Sequence, residues 1–141
     1  MSNIFDAVAQ VYEYIQVPDV SVQLDGRIYQ HQFPTEGELI GEGKDRFIVI
    51  NTIEPKYGQI VREVTVNIQV FVREKPFKLM DIDTLDSLEK AIDVALDVQA
   101  GSRITSYGAV EKITATVLPE NPFSKSHTLM VIRLNLIINA K

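Results

Sequence analysis

The 141-residue chain contains no cysteine. Disulfides, cysteine-bound zinc, iron–sulfur clusters and a thiol nucleophile are therefore excluded, and folding in a reducing cytoplasm is favoured. Long apolar runs are also lacking, since the longest, such as Phe47–Ile50, fall far short of the roughly 20 residues of a membrane span. The amino terminus lacks the basic start and apolar stretch of a signal peptide. We therefore expect a soluble, intracellular protein without a membrane anchor.

Basic residues are few and scattered. Lys and Arg number 14 against 19 Asp and Glu, which gives a net charge of −5. A duplex-DNA binder needs a basic face that displaces phosphate counterions, and the sequence has no basic cluster. We therefore expect neither tight nucleic-acid binding nor a basic helix on a membrane surface. The length, with 45% hydrophobic residues, is typical of one globular domain with its own core.

The sequence contains no complete catalytic or metal-binding motif. His31 and His127 are its only histidines, and neither has the spacing of a metal site. Asp81, Asp83 and Asp86 resemble a cation cluster, but they lack the Gly and distal Glu of a calcium loop. Favourable charge at a helix start explains these aspartates. We therefore expect no catalytic residue, cofactor or metal, and a protein that is not an enzyme.

Residues 34–45 are predicted to form a long polar loop. They hold three glycines and three glutamates around the apolar pair Leu39 and Ile40. Glycine freedom and like charge favour mobility, and loops of this length are often functional. Residues 43–45 (Gly-Lys-Asp) lack the Ser or Thr of a phosphate-binding loop, and the glutamates would repel phosphate. Leu39 and Ile40 either fold back to complete the core or dock on a neighbouring subunit.

Apolar residues at helical spacing predict two helices, over residues 3–16 and 82–98. Asp81 or Asp83 can cap the second helix, and Gly101 is placed to terminate it. Strands are predicted at Val20–Leu24, Arg27–Phe33, Arg46–Glu54, Val61–Arg73, Ser102–Leu118 and Met130–Ile138. The Asp25-Gly26 pair favours a hairpin between the first two strands, and Tyr107-Gly108 favours a bulge or break.

Within the predicted strand Val61–Arg73, apolar residues alternate with polar ones over Val64–Val70, and Val72 continues the apolar positions. One of its faces therefore lies on a core and the other is polar, as in an antiparallel sheet. The elements follow in the order helix, strands, helix, strands. We expect an α+β fold in a single domain over residues 1–141, with an antiparallel or mixed β-sheet and two α-helices packed on one face.

This order of elements resembles a known family. The segments that carry the resemblance are an amphipathic helix and four later pieces, at Ile4–Val11, Arg46–Asn51, Val64–Val72, Asp83–Ile92 and Leu134–Ile138. In this arrangement the chain resembles the tail terminator (tail completion) and head–tail joining proteins of long-tailed bacteriophages. The resemblance implies a homo-oligomeric ring, commonly of six subunits, that caps the tail tube and meets the head connector. It also implies a lumen that passes DNA without gripping it, and a place in the virion after assembly in the host cytoplasm.

The candidate subunit interface combines the apolar pair of the loop with the long strand. A strand of thirteen residues is long enough to project and pair with another chain, and the segment that starts at Arg62 is the one most like the family. The candidate interface residues are Leu39, Ile40, Arg46, Arg62, Asn67 and Gln69.

Two other readings stay open at this point. A small-molecule-binding or accessory domain without catalysis would hold its ligand on the concave face of the sheet, lined by Tyr57, Phe71 and Tyr107. An enzyme whose active-site residues lie far apart in the sequence is the third reading, because distant acidic side chains can meet in a fold.

Overall fold

The computed structural model describes residues 4–24, 28–30, 45–52, 63–76, 79–98, 102–105, 108–118 and 126–138. The helices are α1 (Ile4–Ile15), α2 (Pro18–Ser21) and α3 (Ile82–Leu96). The strands are β1 (Ile28–Gln30), β2 (Arg46–Thr52), β3 (Glu63–Arg73), β4 (Ser102–Thr105), β5 (Gly108–Leu118) and β6 (His127–Ile138). The predicted loop at 34–45 lies outside the described residues up to position 44.

The strands form one six-stranded sheet in the order β1-β2-β3-β6-β5-β4. β1 and β2 run parallel, whereas every other neighbouring pair is antiparallel, so the sheet is mixed. Helices α1 and α3 pack against the same side of the sheet, which we call the helix-facing side. The predicted α+β fold class is confirmed.

The main core lies between the helices and the helix-facing side. Alternate residues of β3, from Val64 to Val72, are buried there, as the alternation predicts. Removing such side chains from water contributes about 25 cal/mol for each Å² of apolar surface, the dominant favourable term in folding. The helices contribute buried residues at helical spacing, namely Ala7, Val8, Val11 and Ile15 from α1 and Leu85, Leu88, Ile92 and Leu96 from α3.

The first and last turns of α3 are fixed by two aspartates. The Asp81 carboxylate accepts a hydrogen bond from the backbone N–H of Thr84, so Asp81 is the N-cap, as one of the two predicted alternatives. The helix ends at Asp97, which adopts the left-handed conformation with φ 57° and ψ 47°. Aspartate tolerates this region better than most residues other than glycine. Termination therefore occurs before Gly101, which lies outside the described residues.

The predicted hairpin between Val20–Leu24 and Arg27–Phe33 is wrong. Residues 18–21 are helical, because Pro18 occupies the first helical turn, where its missing N–H removes no hydrogen bond. Ile28–Gln30 is a strand, but it pairs in parallel with β2 rather than with the preceding segment. Local turn signals cannot reveal such a nonlocal parallel partner.

The predicted strand Ser102–Leu118 consists of two antiparallel strands. β4 ends at Thr105 and β5 begins at Gly108, so the predicted break is confirmed. A shift of register occurs farther along, between Lys112 and Thr114, where Ile113 is the extra residue of a bulge opposite β6. β4 pairs with β5 only over Gly108–Glu111, which leaves the rest of β5 beyond its reach.

Candidate subunit interface

The second half of β5 is the longest exposed run among the strand residues whose side chains the structure describes. Ile113–Leu118 pairs with β6 on one side and, among the described residues, with no strand on the other. We call this six-residue segment the open edge. All six of its side chains are exposed, although three of its five partners in β6, Leu129, Met130 and Ile132, are buried.

The open edge has the chemistry of a strand that pairs with another chain. Its sequence, Ile-Thr-Ala-Thr-Val-Leu, is uncharged, free of proline and glycine, and rich in β-branched residues. Soluble proteins protect exposed edges with charged residues, proline or very short strands, because unpaired backbone groups invite pairing. The bulge at Ile113 is the one such device seen here. The next five residues carry none.

The open edge is uncovered on both faces of the sheet. Ala115 and Val117 lie on the helix-facing side, opposite Ile132 and Met130 of β6, yet no helix covers them and Val117 is 40% exposed. Ile113 and Leu118 are 51% and 39% exposed. Helices α1 and α3 contact the β1–β3 half of the sheet, which explains why this end is left bare.

A cleft lies at the opposite end of the sheet. It has a volume of about 510 Å³, opens to solvent, and is formed where α1, α2 and β1 meet. Ile28 of β1 forms one wall from the helix-facing side, and β1 has no second strand partner within the described residues. The remaining lining residues are Tyr12, Gln16, Val17, Pro18, Ser21 and Leu24. We call this feature the β1 cleft.

Asn67 and Gln69, two predicted interface residues, lie on the side of β3 away from the helices, the outer face. The Asn51 amide donates a hydrogen bond to Gln69 Oε1 at 3.0 Å, and Arg133 Nε donates one to Asn67 Oδ1 at 3.3 Å. Asn51, Asn67 and Arg133 are direct neighbours across three strands. The outer face therefore carries a polar row of Asn51, Asn67, Gln69 and Arg133, joined by these side-chain hydrogen bonds. Arg133 is the one exposed residue of the row.

Most of the long strand does not provide a pairing edge. All eleven residues of β3 pair with β6, and residues 66–72 also pair with β2. The prediction that this strand pairs with another chain is therefore wrong for residues 66–72, whereas residues 63–65 pair on one side alone within the described residues. Arg46 is exposed at the start of β2, whereas Leu39, Ile40 and Arg62 lie outside the described residues.

An aromatic cluster occupies the outer face beside the polar row. Phe47 and Phe71 stack with ring centroids 4.7 Å apart, and the His127 ring meets Phe47 edge-on at 5.4 Å. All three residues are buried, so Phe71 cannot line an open ligand site as the small-molecule reading requires. Tyr57 and Tyr107 lie outside the described residues. His127 therefore packs as an aromatic ring, and no cluster of metal-ligating side chains occurs in the described part of the chain.

A charged cluster joins α3 to β5 just before the open edge. Lys112 Nζ lies 2.8 Å from Asp93 Oδ2 and 3.7 Å from Glu89 Oε2. The three side chains are about a fifth to a quarter exposed. Lys112 is on the helix-facing side, opposite Leu134. Its positive charge balances the two carboxylates of α3. The cluster holds β5 against α3 at Lys112, one residue before the open edge begins.

The open edge and the β1 cleft were not predicted from the sequence. The uncharged run Ile113–Leu118 is a sequence signal for the open edge. It becomes informative only once the structure shows that β4 pairs with β5 no farther than Glu111. The β1 cleft depends on α2, which the sequence suggested was a strand.

No protein-family model matches this chain, and no curated sequence is significantly similar to it. No helix in the described ranges is long and apolar enough to cross a membrane.

Proposed function

We propose that this chain is a structural assembly protein of a bacteriophage or prophage tail. In this proposal it is a tail terminator or head–tail joining protein that forms a homo-oligomeric ring, commonly of six subunits, at the end of the tail tube. Its neighbours are the tail-tube and head-connector proteins, and it belongs to the virion after assembly in the host cytoplasm. No catalytic step is part of this role.

The open edge is the observation that carries the proposal. A monomeric protein with six exposed, uncharged residues, four of them β-branched, along a strand that pairs on one side alone within the described residues is prone to uncontrolled association. A defined partner strand removes that hazard, and a ring of identical subunits supplies one for every copy. The α+β fold class is the one that the family resemblance implies, and it supports the same role.

The proposal predicts a closed oligomer of fixed size. Native mass spectrometry of the purified chain over a concentration series should give one dominant assembly, with six copies as the expected number. Gold-labelled protein mixed with purified phage tail tubes should then appear at one end of each tube in electron micrographs. A chain that remains monomeric at every concentration and labels no tube end would contradict the proposal, and labelling along the whole tube would point to a tube subunit instead.

A further inference from the structure

Resting on the proposed ring, we infer that neighbouring copies join head to tail through a continued sheet. Strand β1 of one copy pairs antiparallel with the open edge (Ile113–Leu118) of the next copy, and Val117 of that open edge enters the β1 cleft. The interface is therefore formed by two different surfaces of the same chain. These surfaces lie at opposite ends of the described sheet.

The strand directions permit this pairing. β1 runs with β2 and β6, whereas β3 and β5 run the other way, so β1 and β5 are antiparallel within one copy. A rotation about an axis along the strands preserves the direction of each strand and the side on which its helices lie. The β1 of a second copy therefore arrives antiparallel to β5, which is the commoner kind of strand pair.

The two faces of the strands select one register. In β1, Ile28 and Gln30 lie on the helix-facing side and Tyr29 on the outer face, because they pair with Ile48, Ile50 and Val49. Directly opposed residues of an antiparallel pair share a face. When all three residues of β1 face described residues of the open edge, the pairs that satisfy this rule and stay clear of the Ile113 bulge are Ile28 with Val117, Tyr29 with Thr116, and Gln30 with Ala115. The first is an apolar pair and the second joins an aromatic to a β-branched residue, both favourable across strands.

The register also brings Val117 to the β1 cleft. Ile28 is both the expected partner of Val117 and a wall of that cleft. Helix α1 packs on β1 from the helix-facing side, so each incoming β1 carries a helix to the face where Ala115 and Val117 are bare. The exposed apolar residues of one sheet end and the apolar cleft of the other are thus complementary.

Charge favours a second copy over an acidic or basic partner. The chain carries −5, so two copies repel over most approaches. β1 (Ile-Tyr-Gln) and the open edge are both uncharged, and two acidic copies can meet there without opposing like charges. An apolar patch that fits a cleft elsewhere on the same molecule gives a head-to-tail contact, which closes into a ring when the rotation allows it.

Two variants, each damaging one of the two surfaces, test the inference. Val117→Lys places a charge on the open edge, and Ser21→Trp fills the β1 cleft from an exposed position. Each should raise the concentration needed for assembly by about tenfold or more, measured by light scattering, because an edge charge and a filled cleft both oppose strand docking. Val94→Lys, at a helix position that is 56% exposed, is the matched control and should assemble as the wild type does. Circular dichroism confirms that each variant is folded.

Mixing the two damaged variants separates a head-to-tail contact from a symmetric one. The Val117→Lys copy keeps an intact cleft, and the Ser21→Trp copy keeps an intact open edge. An equimolar mixture should therefore form heterodimers that grow no further, seen by native mass spectrometry. Failure of the mixture to associate, with the wild type still assembling, would overturn the inference and leave the ring proposal standing. A wild type that never assembles would overturn both.

The absence of cysteine allows the register itself to be tested. Gln30→Cys mixed with Ala115→Cys should give a disulfide-linked pair under mild oxidation, because the inferred register opposes these residues. Gln30→Cys mixed with Thr114→Cys should give far less, since Thr114 lies on the outer face. A disulfide formed by Ala115→Cys alone would show that two open edges pair with each other, which contradicts the inferred contact.

Discussion

At the scale of single residues, Asp81 shows how one side chain sets a helix boundary and a pH response. The Thr84 hydroxyl donates a hydrogen bond to Asp81 at 2.8 Å, and the Lys75 ammonium lies 3.8 Å away. Burial alone would raise the pKa of Asp81, but the Thr84 hydrogen bonds and the charges of Lys75 and Arg46 outweigh it, so the pKa lies below its usual 3.8. Such a group stabilises the fold above that value, and the contribution is lost as pH falls through the folded-state pKa.

Two substitutions of Asp81 separate the cap from the charge. Asp81→Ala should lower the free energy of unfolding at neutral pH by about 1 kcal/mol, because the N-cap acceptor is lost. Asp81→Asn keeps an acceptor for Thr84, so it should cost less at neutral pH and should weaken the loss of stability on acidification below the usual pKa of 3.8. Urea unfolding at neutral and acidic pH measures both. An Asn variant with the acid sensitivity of the wild type would contradict this account.

At the scale of elements, the Lys112 cluster should hold β5 against α3. Lys112→Met would leave Asp93 and Glu89 facing each other, and each already has one buried oxygen without a hydrogen-bond partner in the described structure. We expect a loss of about 1–2 kcal/mol in urea unfolding, because a half-buried carboxylate pair loses its cation. Lys90→Met is the control, since its ion pair with Asp86 is exposed to solvent and its loss should leave the free energy of unfolding nearly unchanged. An equal loss of unfolding free energy in the two variants would contradict the role of the Lys112 cluster in holding β5 against α3.

Elements governed by local periodicity could be predicted from the sequence. The apolar stripe of α3 and the alternation of β3 follow from residue spacing alone, and the structure contains both. The prediction of a strand at Val20–Leu24 is wrong because the short helix α2 begins with a proline in its first turn and has no repeated apolar pattern that would reveal it. The parallel β1–β2 pair and the early end of β4 depend on nonlocal packing. The open edge and the β1 cleft depend on those same nonlocal features, so neither could be foreseen.

At the scale of the whole molecule, a continued sheet would fix the size of the proposed ring. β4 and the incoming β1 would both lie beside β5, at different heights along it, so each copy adds five strand positions to the wall. With strands about 4.8 Å apart and tilted by up to about 40°, six copies give a wall of about 45–60 Å diameter. The helix layer is bulky and fits the longer outer circumference, as in barrels ringed by helices. The outer face, which carries the polar row with Asn67 and Arg133, would then line the lumen.

This geometry predicts a hole that electron microscopy can measure. Side chains take up about 5 Å on each side of the lumen, half of the spacing between packed sheets, which leaves an opening of about 35–50 Å for six copies. That is wider than a DNA duplex, so the opening would let DNA pass. Class averages of negatively stained wild-type rings give the opening, and native mass spectrometry gives the number of copies. A different copy number should change the wall diameter, which is the opening plus the side chains on both sides, in proportion, because each copy adds the same arc. A wall diameter that is out of proportion to the copy number would mean that the subunits do not share a continuous sheet.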